Sequence, residues 1–441
     1  MIRLGLVVNP VAGLGGRVGL GGSDGTRTQR RALERGAVPC AVDRSTAALA
    51  ELARRTRDVE LLTASGAMGE ASARAAGLPA RVVHRPRRPG ATGPRDTVEA
   101  VRALADDVDL LLFAGGDGTA RDVLEALGEE ARLPVLGIPT GVKMHSAVFA
   151  VNPRAAGEIA AGWASGSGGP RLRPAEVMDR DEAELRRGRL TSRLYGWLPV
   201  PYVPVRVQQR KAGSTGASPE ALGGIAAELA SRAGAEDLLI LGPGTTTRAV
   251  AAALGAEIPL TGVTALVRAG GGNGCGASHC GDCPSACGCA VADRAVPRAP
   301  DGALPPLGSP RAALAPPPPR PPGAAAHPPP PGLPPYRTLA THLTSAHLRA
   351  LARHHPLLLA LSPVGGQGFL LGRGNQQISP EVLRTLAPGK LLVLATEAKL
   401  AALHGRPLLI DTGDDALDAE LSGYATVLTG RGRTALYRLS H

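Results

Sequence analysis

Four glycine-rich turns in this chain have the composition to hold phosphate. The most telling is Gly115-Gly116-Asp117-Gly118-Thr119. It is entered from the apolar run Leu110–Ala114 and followed at once by a helical stretch, Ala120–Leu127. Glycines let backbone N–H groups approach a ligand without obstruction by a Cβ. The start of a helix adds unpaired donors and partial positive charge, so a strand–turn–helix junction suits an anion. Gly115, Gly116, Gly118 and Thr119 are therefore candidate phosphate contacts. Asp117 is the candidate catalytic carboxylate, to orient or deprotonate an acceptor hydroxyl or to help hold Mg²⁺. A plain helix cap by Asp117 is the alternative reading.

The second turn, Asn9-Pro10-Val11-Ala12-Gly13-Leu14-Gly15-Gly16, follows a strand expected over Ile2–Val8. Open α/β sheets bind ligands at this end of their strands, which makes Asn9, Gly13, Gly15 and Gly16 candidates. The third, Gly242-Pro243-Gly244-Thr245-Thr246-Thr247, follows an expected strand at Asp237–Leu241 and leads into a helix. Gly242, Gly244, Thr245 and Thr246 would hold phosphate there or merely cap the helix. The fourth combines Gly365–Gly368 with Gly372–Gln377, and an open hairpin is its alternative. Together these turns predict a nucleotide site in which they share one anionic pocket.

The elements that must position them alternate. Strands are expected at Ile2–Val8, Glu60–Thr63, Asp109–Ala114 and Pro134–Pro139. Helices are expected at Thr46–Arg55, Asp96–Asp106, Ala120–Leu127 and Val142–Val148. Repeated strand–helix units predict a parallel sheet with helices on its faces, hence an α/β fold over residues 1–150. Residues 151–263 and 337–410 read as a second domain richer in strands, and 411–441 as a return to the first. A hairpin or helix is expected near Glu182–Arg189. Residues 264–336 stand apart. Pro297 to Pro335 holds 17 of the chain's 40 prolines, a composition that forms no core. A low-complexity disordered linker and an out-of-frame translation both account for it.

Composition narrows the function. The formal charge is +11, yet aromatic residues make up only 2%, and Arg is spread along the whole chain. No dedicated nucleic-acid surface is expected. No apolar run of membrane-spanning length occurs, and the N-terminus reads as a strand rather than a leader, so a cytoplasmic protein without a membrane partner is expected. Cys280 and Cys283 form a single Cys-x₂-Cys pair among Cys275, His279, Cys287 and Cys289. A zinc site would need a second pair, so no metal site is expected in the chain.

Taken in order, these motifs resemble the ATP-NAD kinase family, and within it the branch that includes the acetoin-catabolism protein X. The matching runs are Asn9–Gly16, Gly115–Asp122, Gly137–Met144, Glu176–Asp179, Gln209–Lys211, Gly242–Thr247 and Gly365–Pro380. The resemblance covers roughly residues 1–260 and 340–435. It implies a Rossmann-like N-terminal domain, a β-rich second domain and an active site in the cleft between them. It also implies ATP with Mg²⁺ as donor and the 2′-hydroxyl of NAD as acceptor. Asp117 would be the catalytic carboxylate, and Lys143, Arg210 and Lys211 would be cations near the phosphates. Another small hydroxyl compound as acceptor, or a non-catalytic nucleotide-binding regulator, are the alternatives. A homo-oligomer is compatible with all three.

Three runs depart from the branch. Leu20–Gly25 lacks its usual lysine. Pro139-Thr140-Gly141 stands where true NAD kinases carry an Asn-x-Gly contact to NAD. Gly262-Val263-Thr264 replaces Gly-Val-Asp.

Overall fold

The computed structural model describes residues 1–20, 25–142, 144–166, 170–180, 192–204, 206–208, 218–269 and 335–441. Among the described residues no helix is long and apolar enough to cross a membrane.

The N-terminal sheet has five parallel strands: β1 (Ile2–Val8), β2 (Val59–Ala64), β3 (Ala80–His84), β4 (Leu110–Gly115) and β5 (Val135–Pro139). Their order is β3-β2-β1-β4-β5. β4 is buried along its whole length, as a central parallel strand covered by helices on both faces must be. Leu4, Leu6, Leu112 and Phe113 anchor the core, and the Phe113 and Phe149 rings pack 5.4 Å apart. The chain runs leftwards from β1 to β2 and β3, then crosses to β4 on the other side. The carboxyl ends of β1 and β4 thus flank the point where the winding reverses, which is where such sheets take ligands.

A two-stranded ribbon follows, formed by β6 (Leu172–Arg180) and β7 (Ser192–Pro201). The remaining strands are β8 (Leu238–Leu241), β9 (Val263–Arg268), β10 (Tyr336–Leu343), β11 (Leu357–Leu361), β12 (Leu391–Leu394), β13 (Leu408–Leu409), β14 (Gly423–Gly430) and β15 (Arg433–Ser440). They form one sheet in the order β10-β9-β8-β11-β12-β14-β15-β13. Its centre, from β8 through β11 and β12 to β14, is parallel. The expected strand-rich second domain is present, with a parallel core of its own.

Three expectations are corrected. β14 and β15, expected to return to the first domain within 411–441, are strands of the second sheet. The start of the segment 264–336 is a regular strand: β9 pairs with both β8 and β10, because Val263, Ala265 and Leu266 are buried there. Residues 270–334 lie outside the described residues, as do Glu182–Arg189. Finally, Val142–Val148 is not a helix. Two of its amides serve the Asp117 carboxylate, as described next.

Candidate active site

The end of β4 opens directly into a helix, Asp117–Leu127, with Gly116 as its N-cap. The first backbone bond of that helix runs from the Ala120 amide to the Gly116 carbonyl, at 3.0 Å. The amides of Asp117, Gly118 and Thr119 precede it, and helix geometry gives them no partner inside the helix. Gly115 is required here: a Cβ on it would lie 2.2 Å from Thr119 Oγ1.

Asn9 fastens the neighbouring turn to this one. Its amide donates to the Ala114 carbonyl at 2.9 Å, and its Nδ2 donates to Thr119 Oγ1 at 3.0 Å. Its Oδ1 accepts from the Val11 amide at 3.3 Å, which closes the turn. Gly13 has φ +78°, and a Cβ there would fall 2.0 Å from the Thr140 carbonyl oxygen. Gly15 and Gly16 are buried in the same turn. Beyond β5, the amides of Thr140 and Gly141 donate to the Gly115 carbonyl at 2.9 and 3.1 Å. The fourth turn closes over them. Gly374 N donates to the Val142 carbonyl at 2.9 Å, and Gln376 Nε2 reaches the same oxygen at 2.9 Å.

Asp117 is buried. Its Oδ1 accepts from the Ser146 amide at 3.0 Å and the Ser146 hydroxyl at 2.7 Å. Its Oδ2 accepts from the His145 amide at 2.7 Å and lies 3.1 Å from His145 Nδ1. The carboxylate therefore folds the 144–146 strip back over the glycine turn. His145 and Ser146 directly follow the Gly137–Met144 run, and nothing local in the sequence marks them as partners of residue 117.

A buried charge cluster joins the two domains beside this site. Asp411 Oδ2 accepts from Arg44 Nη2 at 2.6 Å and from Arg373 Nη1 at 2.7 Å. Arg44 Nε also donates to the Pro139 carbonyl, and Arg373 Nη2 to that of Val151 at 3.0 Å. Burial alone would raise the Asp411 pKa, but the two guanidiniums outweigh it and hold the carboxyl below its ordinary value.

The Gly242–Thr247 turn belongs to the second sheet. It starts a helix, Thr245–Ala253, at the carboxyl end of β8. Lys399 Nζ donates to Thr246 Oγ1 at 3.2 Å and to Ser362 Oγ at 2.8 Å. No hydrogen bond among the described residues joins this turn to 115–119. The structure thus brings Asn9, Gly13, Gly115, Gly116, Gly118, Thr119 and Asp117 together. It places Gly242, Gly244, Thr245 and Thr246 at the carboxyl edge of the second sheet. Lys143, Arg210 and Lys211 lie outside the described residues.

The ATP-NAD kinase N-terminal domain model matches residues 4–167, and the ATP-NAD kinase C-terminal domain model matches residues 336–439. The chain belongs to the ATP-NAD kinase family. Both family domains fall on the two sheets described above, with the fastened turns in the first. A 46-residue stretch is 44% identical to a diacylglycerol kinase of Staphylococcus carnosus (strain TM300) and 50% identical to one of Staphylococcus epidermidis (strain ATCC 12228 / FDA PCI 1200). Each match covers 10% of this chain and 15% of the relative. Among solved structures, a putative diacylglycerol kinase from Bacillus anthracis str. Sterne aligns at 18% identity and a TM-score of 0.23. That alignment covers 41% of this chain and 45% of the other. A second structure described in the same way gives 18% and 0.22, over 41% and 43%.

Proposed function

We propose that this member of the ATP-NAD kinase family transfers the γ-phosphoryl group of ATP to a hydroxyl of a small molecule, with the 2′-hydroxyl of NAD as the first candidate acceptor. The observation that carries the reading is the junction at β4, where the Asn9 turn is fastened to a helix start whose first amides are unpaired. Those amides suit the phosphate chain, and Gly115 and Gly116 let the turn close against Thr119 and Gly141, which a Cβ would crowd. ATP bound with Mg²⁺ supplies the transferable group and neutralises its charge. The residues fit that group: a glycine turn and free helix-start amides are what a polyphosphate needs. The chain's own contribution is positioning. Asn9 fixes Thr119, and the Arg44–Asp411–Arg373 cluster fixes the second domain against the site.

A second acceptor is favoured by one observation. Pro139 stands where true NAD kinases carry the Asn of their Asn-x-Gly contact, and its carbonyl is taken by Arg44 Nε. Proline has no side-chain amide for NAD to meet there, so a different small hydroxyl compound is the second reading. The purified chain with ATP, Mg²⁺ and NAD, read by an NADP-specific dehydrogenase, tests the first. NADP formation supports it. ADP release with another alcohol, diacylglycerol included, and no NADP moves the assignment to the second.

A further inference from the structure

Resting on the kinase reading above, with Asp117 as its carboxylate, we propose that Gln367 of the second domain is a positioning residue for Asp117. It acts through a single peptide group, the one that joins Met144 to His145. The carboxylate is thereby set only when the second domain is seated on the first.

The strip that follows β5 divides its backbone between two sets of partners. Its amides serve the glycine turn. Those of Thr140 and Gly141 donate to the Gly115 carbonyl at 2.9 and 3.1 Å. Those of His145 and Ser146 donate to the Asp117 carboxylate at 2.7 and 3.0 Å. Its carbonyls face side chains instead. Gln367 Nε2 donates to the Met144 carbonyl at 3.0 Å, and Gln376 Nε2 to that of Val142 at 2.9 Å. Arg44 and Arg373 hold the two flanks, at the Pro139 and Val151 carbonyls. Donors and acceptors that point to different segments leave nothing for a helix or a ladder.

The Met144 carbonyl and the His145 amide belong to the same peptide. That group is planar and trans, so its C=O and N–H point in opposite directions. Gln367 therefore grips one end of the unit whose other end bonds Asp117 Oδ2. Turning the peptide would break both bonds. A carbonyl only accepts, so it fixes which end of the carboxamide faces it. Gln208 Nε2 reaches the same oxygen at 3.3 Å, but its shorter bond, 3.0 Å, goes to the Ser146 carbonyl.

Gln367 is itself buried and rooted in the second sheet. Its neighbour Gly368 accepts at its carbonyl from the Leu409 amide of β13 at 2.9 Å. The Leu370 amide donates back to the Leu409 carbonyl at 2.8 Å. A continuous chain of bonds thus runs from β13 through Gln367 and one peptide to Asp117.

The test uses the full chain with whichever hydroxyl acceptor the wild type phosphorylates, NAD being tried first. Gln367→Met keeps the length of the side chain and removes the donor. It is expected to lower kcat about tenfold with the KM for ATP unchanged, because the bonds at Asn9 and Gly115 do not pass through this peptide. Hydrogen exchange read residue by residue supplies what a merely structural role would not. The His145 amide should lose protection in Gln367→Met, while those of Thr140 and Gly141 keep theirs. In urea denaturation Gln367→Met and Asp117→Ala should together cost less than the sum of their separate losses. Should the Met variant fail to fold, Gln367→Asn, which withdraws the carboxamide by one methylene, is read in the same way. Wild-type protection at His145, or additive losses, overturns the proposal and leaves the kinase reading intact. A wild type that phosphorylates no hydroxyl acceptor overturns the kinase reading, and exchange at His145 then still decides whether Gln367 holds the peptide that meets Asp117.

Discussion

Arg44, on a helix of the first domain, and Asp411, beyond β13 in the second, form an ion pair of 2.6 Å across 367 positions of sequence. Arg373 shares the same carboxylate oxygen, and the side chains of Asp411 and Arg373 are only 2% and 5% exposed. Removing one partner of a buried pair leaves uncompensated charge, which costs about 3–5 kcal/mol. Asp411→Ala strands two guanidiniums and is expected to lose stability in that range by urea denaturation. Arg44→Met keeps the Arg373 bond and should lose less. Equal losses in the two variants would show that the carboxylate is not shared as described.

Asp418 predicts an unusual pH dependence. Burial pushes its carboxyl up to about 6, although Thr412 donates to it from both amide and hydroxyl. The folded-state value lies above the unfolded one of 3.8. Its contribution is therefore fully present below pH 3.8 and is lost as the pH rises through about 6. The loss amounts to at most ~3 kcal/mol. Wild-type stability should fall across that window, and Asp418→Asn should flatten the fall because no charge then forms. Asp411, with its lowered value, acts in the opposite direction and only at lower pH: its contribution holds above 3.8 and is lost as the pH falls through its folded value.

How far the sequence alone reaches can be judged at β4. Leu110–Ala114 reads as a fully buried strand because a central parallel strand has no polar face, and Gly115–Thr119 reads as a turn because only glycine passes so close to Thr119. Such signals are local. The Val142–Val148 strip carries valines at both ends and reads as helical. Its amides instead bond a carboxylate 28 and 29 positions away. The site histidine and the Arg44–Asp411 pair are invisible for the same reason: both depend on a fold that brings distant segments together. At β9 the boundary drawn at residue 264 lies too early: Thr264–Arg268 contain no Gly, Cys or Pro and continue the strand, and the Gly-rich composition starts only after them.

Two glycines that share a left-handed backbone separate strain from contact. Gly128 has φ +80° and no atom within 4 Å of where a Cβ would stand, whereas Gly13 has φ +78° and the Thr140 carbonyl at 2.0 Å. Gly128, with ψ 173°, sits in a region essentially reserved for glycine, so Gly128→Ala should cost only the backbone penalty, about 1–3 kcal/mol. Gly13→Ala must also push the turn off the end of β5. It is expected to cost several times more in thermal denaturation and to weaken ATP binding in isothermal titration. Equal effects at the two positions would exclude the close packing at Thr140.

Asn9 offers the most direct test of the fastened turns. Its side chain closes its own turn through Val11 and reaches Thr119 at the start of the helix. Asn9→Asp keeps the acceptor for the Val11 amide but loses the Nδ2 donor, and it adds negative charge beside the amides that would receive phosphate. Asn9→Ala removes both bonds without adding charge. Each lost hydrogen bond is worth about 1 kcal/mol, so Asn9→Ala, which loses two, should be less stable than Asn9→Asp, which loses one, by about that amount. They should separate in function. Asn9→Asp is expected to raise the KM for ATP well beyond Asn9→Ala, and added salt should narrow the gap by screening the repulsion. If both variants bind ATP alike at every ionic strength, the Asn9 turn does not border the phosphates.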